Sequence, residues 1–176
     1  MSPVTDEDVL LYLRERLPDF TPTGEPTRLP EGNLNVVWRV PGAERSLIVK
    51  YAPPYIAADP DTPLDPSRLL IEARCLEALG PGGRLADVTG MAVRTPQVVD
   101  VSDDPHVLVM EDLGDLPTLN RWLRGHDPER VQDMAPTLGE RLGTFLGDLH
   151  AATCDDETQA RAFVNRPMQE TRQAVQ

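Results

Sequence analysis

One lysine stands alone in this chain. Of the 17 basic side chains, 16 are arginine and the other is Lys50, which follows the apolar run Leu47-Ile48-Val49. Arginine is read as serving every exposed position, so the retained lysine marks a place that a planar guanidinium fork cannot fill. A compact ammonium on a flexible stem can meet a carboxylate and a phosphate together in a tight space. The plainer alternative is a lysine at a strand end whose ammonium snorkels to water. A second charge stands out in RLLIEARCLEAL, where Glu72 shares the three- and four-residue spacing of Leu69, Cys75 or Leu76, and Leu79. A carboxylate facing a core is costly unless a cation meets it, and Lys50 is the expected partner because a helix following a strand packs back on its sheet. If Glu72 only borders the stripe, it reaches water instead. A third feature is Met110-Glu111-Asp112-Leu113-Gly114, where an apolar strand gives way to acid and glycine. Backbone N–H and C=O groups of a chain leaving a sheet can read the edge of a flat heterocycle.

These groups need elements to position them. Leu34, Val36, Trp38 and Val40 alternate with Asn33, Asn35, Val37 and Arg39, Pro41-Gly42 supplies a turn, and Leu47 to Tyr51 resumes as a strand, which together predict a hairpin. Before it, Arg28-Leu29 is a short strand, and Pro30-Glu31-Gly32-Asn33 a turn whose single glycine fits a plain β-turn as well as a phosphate cover. Gln97 to Val101 and His106 to Met110 form a second hairpin through Ser-Asp-Asp-Pro. Thr5 and Asp8 make a capping box for a helix with an apolar face of Val9, Leu10, Leu13 and Leu17, ended by Pro18. Residues 52–66 are too proline-rich for regular structure, Asp65-Pro66 caps the helix that carries Glu72, and residues 80–95 are a glycine-rich connection.

From Gly114 onward the pattern is helical. Asp115, Leu116 and Pro117 open a short helix, and Asp127-Pro128 open a long one in which Val131, Met134, Leu138, Leu142, Phe145 and Leu149 recur at threes and fours. Pro136 should kink or restart it, His150 is a packed structural imidazole, and Asn165 with Pro167 starts another helix in a polar tail. Trp38, Arg39 and Trp122 are not assignable to ligand or core at this level.

The whole chain sets bounds on function. With 176 residues, 40% hydrophobic and 26% charged, it suits a globular domain, or one small domain and part of another. No apolar run approaches a bilayer span and MSPVTDEDV lacks a secretory pattern, so a cytoplasmic protein is expected. A net charge of −12 argues against nucleic acid or an anionic membrane as partner, leaving any anion to be held locally. Cys75 and Cys154 lack paired metal-ligand spacing and are read as free thiols.

In order, these segments resemble the amino-terminal half of the protein-kinase-like small-molecule kinases, the family of aminoglycoside phosphotransferases and methylthioribose kinase. EGNLNVVWRV is similar to the family's nucleotide-covering hairpin, LIVK to its third strand, the glutamate of RLLIEARCLEAL to the helix acid that holds the lysine, and VLVMEDLG to the hinge. GNLN, LIVK and FVNRPMQETR are similar to methylthioribose kinase in particular. The resemblance implies an α+β fold: a small lobe over residues 1–113, with an antiparallel sheet and one packed helix, then the first helices of an incomplete large lobe over 114–176. It implies ATP as phosphate donor and a hydroxyl of a small molecule, such as a sugar or aminoglycoside, as acceptor.

In that scheme Lys50 neutralises phosphate charge, Glu72 fixes Lys50, the turn of Gly32, Asn33 and Asn35 covers the phosphates, and Met110 to Leu113, with backbone at Glu111, Asp112 and Leu113, receives adenine. Transfer further needs a carboxylate to orient the hydroxyl and an Asn and Asp to hold Mg2+. None of the histidines, in PHV, GHD and LHA, begins the family's His-Gly-Asp segment with its downstream Asn. The chain is therefore expected to contain no catalytic or metal residues and to be inactive alone, with a complementary large lobe or a second copy as partner. The alternatives are a non-catalytic nucleotide-binding or scaffolding remnant, whose stripe from Val131 to Leu149 is left partly uncovered, and an unrelated α+β domain.

Overall fold

The computed structural model describes residues 5–30, 32–89 and 93–174. Glu31 of the expected turn, part of the glycine-rich connection and Val175 of the tail lie outside the described residues. The strands are β1 (Thr27–Arg28), β2 (Val36–Val40), β3 (Leu47–Tyr51), β4 (Tyr55–Ile56), β5 (Asp59–Pro63), β6 (Val98–Asp103) and β7 (His106–Glu111). The helices are α1 (Asp6–Arg16), α2 (Arg68–Leu79), α3 (Ala86–Thr89), α4 (Leu119–Gly125), α5 (Pro128–Thr153), α6 (Glu157–Ala162) and α7 (Arg166–Ala174). The chain is thus mixed α+β, with a five-stranded antiparallel sheet in the order β1-β2-β3-β7-β6.

The period of two in β2 and β3 sorts their side chains onto the two faces of that sheet. Leu47, Val49 and Tyr51 join Trp38, Val40, Val107 and Val109 on one face, where Val9, Tyr12 and Leu13 of α1 cover them. Leu108 belongs to the other face, packed with Leu69 and Ala73 of α2 and with Ala52. Trp38, unassigned from sequence, is a core residue: it is 1% exposed and its indole donates to Asp6 Oδ1 at 2.9 Å. The capping box is formed, with Asp8 N–H donating to Thr5 Oγ1 at 3.2 Å and Thr5 N–H to Asp8 Oδ2 at 3.0 Å.

A register shift between Val98 and Asp100 makes Val99 an extra residue in β6. Val99 packs into the α1-side core, and Asp100 receives Tyr12 Oη at 2.8 Å and Arg16 Nη2 and Nε at 2.8 and 3.1 Å. A buried phenol and a forked guanidinium therefore lock α1 to the sheet edge.

Several expectations are corrected. Residues 52–66 are not wholly irregular, since β4 and β5 pair; proline is tolerated in a strand with only one neighbour because its missing N–H can face outward. Ser67, not Asp65, occupies the N-cap of α2; Asp65 Oδ1 instead accepts from Ser67 N–H at 2.8 Å, one short turn upstream. Leu34 precedes β2 and is exposed. Thr118 caps α4 by accepting from Arg121 N–H at 3.2 Å, so Asp115 to Pro117 lie ahead of the helix. The long helix does not restart: α5 runs unbroken through Pro136, whose missing hydrogen bond falls on an exposed face where water can serve the freed carbonyl. Helices α3 and α6 occupy stretches read as connection and polar tail. His150 is exposed rather than packed.

Other expectations hold. Both thiols are free, Asn165 Oδ1 accepts from Met168 N–H at 3.3 Å at the start of α7, and Met134, Leu142 and Leu146 leave an apolar face of α5 uncovered. No described helix is long and apolar enough to cross a membrane.

Burial, then the hydrogen bond to Asp100, pushes the Tyr12 phenol well above its usual value of 10.0. Because the folded pKa is raised, the stability this group contributes is complete below about pH 10 and is withdrawn as pH climbs further. Denaturant midpoints measured from pH 8 to 11.5 are expected to fall more steeply for the wild type than for Tyr12→Phe. Parallel profiles would contradict the assignment.

Candidate functional site

On the α2-side face, the alternation of β3 places Ile48 and Lys50 beside Met110 of β7 and opposite Val37 and Arg39 of β2. These side chains line a cleft of about 620 Å3, closed above by Leu29 and the Gly32 turn and below by the segment after β7. That volume falls within the roughly 300 to 1,000 Å3 typical of small-molecule and cofactor sites. Leu29, Val37, Ile48 and Met110 make its walls apolar, and Lys50 supplies a cation.

Lys50 Nζ lies 2.5 Å from Glu72 Oε1, so the expected pair is formed across the β3–α2 gap. Its geometry differs from the sequence reading in one respect. Glu72 flanks the stripe of buried Leu69 and Ala73 and partly buried Leu76, and its side chain is 36% exposed. On a helix wheel Ala73 and Glu72 flank the line from Leu69 to Leu76 equally, and the side that is buried is the alanine side, a weak apolar signal beside leucine. Glu72 is the more open partner, the Lys50 side chain being 18% exposed, and the carboxylate holds the ammonium in place.

The turn at residues 32–35 doubles back tightly. A Cβ on Gly32 would come 2.4 Å from the Asn35 carbonyl oxygen, so only glycine fits the close approach. The Asn33 carbonyl accepts from Ala58 N–H at 2.9 Å, which braces the turn against the β4–β5 ribbon. Asn35 Oδ1 is already engaged, accepting from Arg68 Nη2 at 2.8 Å. The side chain of Asn35 is thus a structural anchor, and residues 32–35 of the turn all line the cleft.

At the other end, Glu111 at the close of β7 and Asp112 just after it are each paired with an arginine, while Asp115 is exposed, 4.0 Å from Arg39 Nη1. Glu111 pairs with Arg94, and its N–H donates to the Gln97 carbonyl at 2.9 Å, so that amide is not free as expected. Asp112 Oδ2 lies 2.9 Å from Arg39 Nε, and Arg39 Nη2 also donates to the Gly114 carbonyl at 3.2 Å. Leu113 N–H has no hydrogen-bond partner among the described residues. The carboxylates of Glu111 and Asp112 are thus held by arginines.

Eight of the nine residues singled out from sequence line this one cleft (Gly32, Asn33, Asn35, Lys50, Met110, Glu111, Asp112 and Leu113), and Glu72 adjoins it through Lys50. Sequence reasoning missed Arg39 as the clamp on Asp112, and missed Arg68 altogether because arginine was read as an exposed residue. Arg68 is 6% exposed. Its only signal in the sequence is its place four residues before Glu72, one helical turn away on the same side of α2. Burial lowers the Arg68 pKa and nearby Asp65 and Glu72 oppose that, while the Ser67 backbone N–H holds the Asp65 carboxyl below its usual range.

The cleft thus combines apolar walls with a glycine turn at one side and an ammonium paired with a carboxylate. Among the described residues no three His, Cys, Asp or Glu side chains converge on one point.

No family model matches the chain. Over 152 residues it is 28% identical to a protein named 4-hydroxytryptamine kinase from Psilocybe cyanescens, covering 83% of this chain and 42% of that protein. Over 151 residues it is 24% identical to 4-hydroxytryptamine kinase from Psilocybe cubensis, covering 83% of this chain and 41% of that one. The chain therefore spans about two fifths of the length of these curated relatives. Both likenesses are to kinases.

Because Glu72 is half-open to solvent, Glu72→Gln is expected to change the unfolding free energy by no more than about 1 kcal/mol in chemical denaturation. A loss of several kcal/mol would mean that the pair holds the fold rather than orienting Lys50.

Proposed function

We propose that this chain carries the nucleotide-binding part of an ATP-dependent kinase that phosphorylates a hydroxyl group of a small molecule. The observation that carries the reading is the 2.5 Å Lys50–Glu72 pair inside a cleft roofed by the Gly32 turn. In this scheme ATP enters with its adenine between Val37, Ile48 and Met110, meeting the main chain at Glu111 to Leu113. The β- and γ-phosphates lie under the backbone of Gly32 to Asn35, and Lys50 offsets their charge while Glu72 keeps the ammonium from swinging toward water. Residues 5–113 then act as the small lobe, and the helices from α4 onward begin a second one.

The relatives support the kinase class, and their names add a class of acceptor beyond the sugars and aminoglycosides expected from sequence, namely a hydroxylated aromatic amine. Phosphoryl transfer needs an acid to orient the accepting hydroxyl and ligands for magnesium. For the described residues, the function proposed is nucleotide binding. The uncovered apolar face of α5 favours a second reading, a scaffold that works through a partner.

Titration with a fluorescent ATP analogue separates the two. The kinase reading expects saturable binding that weakens at least tenfold in Lys50→Met, whose side chain keeps the stem and loses the charge. Absence of binding at millimolar analogue would overturn it in favour of the scaffold.

A further inference from the structure

Arg68 is a buried guanidinium whose five hydrogen bonds reach three separate parts of the chain, at residues 34–35, 53 and 64–65. Nη2 donates to the Leu34 carbonyl and to Asn35 Oδ1, both at 2.8 Å. Nη1 donates to the carbonyls of Asp65 at 2.8 Å, Pro53 at 3.2 Å and Leu64 at 3.5 Å. Its partners are carbonyl and amide oxygens, and no carboxylate among the described residues lies within ion-pair distance. Burying such a cation to join loop carbonyls is costly, so a purely space-filling role would be served better by an apolar side chain. The planar fork does what no apolar residue or lysine can: it holds two divergent directions at fixed angles.

The two directions matter because of what lies at each end. One arm grips the turn of residues 32–35; the other grips the ends of the β4–β5 ribbon, whose tip in turn braces the Asn33 and Leu34 carbonyls through Ala58 and Ala57 N–H at 2.9 and 3.4 Å. The stem belongs to α2, one turn ahead of Glu72. We propose that Arg68 is the positioning residue of the cleft, fixing the glycine turn to the helix that carries Glu72 so that the roof of the site and the Lys50–Glu72 pair move as one unit. This inference rests on the nucleotide-binding reading for its purpose but not for its geometry. A helix displaced from the sheet would release both the ammonium and the turn, making nucleotide binding all-or-none with respect to α2.

The test combines amide hydrogen exchange with ATP-analogue titration on the full chain, for wild type, Arg68→Lys, Asn35→Ala and the double variant. Arg68→Lys keeps the charge and loses the fork; Asn35→Ala cuts the same link from the turn side without touching the buried cation. Both single variants are expected to speed exchange of the Ala57 and Ala58 amides while Val49 and Val109 stay protected. Both are expected to weaken analogue binding at least fivefold, and the double variant to be no worse than Arg68→Lys, since one link is cut twice. Unchanged exchange at Ala57 and Ala58 in both single variants overturns the proposal, as does additive loss in the double variant. Should Arg68→Lys loosen the whole core, Asn35→Ala decides alone: local loosening upholds the tether and its absence overturns it. Faster exchange at the turn in a chain whose wild type binds no nucleotide upholds the tether and refutes the functional reading instead.

Discussion

The alternation of β3 is the constraint on which the remainder of this structure depends. With Leu47, Val49 and Tyr51 sealed under α1, Ile48 and Lys50 have no choice but to face the other way. A slip of one residue would exchange the faces, burying the ammonium against Val9 and Leu13 and exposing valine to the cleft, so register and site are specified together. The hydrophobic core on one side of the sheet thereby aims the only lysine of the chain at Glu72 on the other. That pair contributes little to stability by itself; its consequence is geometric, a cation held at a fixed depth in an apolar slot.

Around that cation the cleft is arranged by charge neutralisation. Glu111 is matched by Arg94 and Asp112 by Arg39, which leaves Asp115, exposed to solvent, as the loosely held carboxylate along the lower lip. A protein of net charge −12 can present an anion-compatible pocket only if its local acids are occupied in this way. The upper lip relies on shape: glycine where a side chain would strike a carbonyl, and Arg68 tying the turn to α2. Lower lip, upper lip and cation come from widely separated stretches of sequence, and each is anchored to the same five-stranded sheet or to the helix packed on it.

Much of this was legible before any coordinates. The two hairpins, the capped first helix and the Lys50–Glu72 pair followed from period-two and period-three-to-four patterns whose apolar members are large. What was not legible had small or polar carriers. Ala73 hid the true stripe of α2, so Glu72 was set on the buried line rather than beside it. The β5 half of the β4–β5 ribbon, Asp59–Pro63, is built of Asp, Thr and Pro side chains that are mostly exposed and carry no hydrophobic signal. Arg68 was invisible because a buried arginine satisfied by carbonyls needs partners brought from residues 34, 35, 53 and 64, and nothing local in the sequence announces them. Local pattern reports a side chain's face, whereas its distant partners emerge only from the packed chain.

The claim that phosphate is received at Lys50 meets its most direct test in the chemistry of that amine. An acyl phosphate of ATP places a reactive carbonyl at the end of the nucleotide's phosphate chain; an amine held beside it forms an amide and releases the phosphate. With one lysine in the chain, the labelled peptide is read without ambiguity by mass spectrometry. The account predicts acylation of Lys50 that excess ATP suppresses and that Glu72→Ala slows. Acylation confined to the chain's α-amino group, or acylation of Lys50 that ATP leaves unchanged, would contradict it.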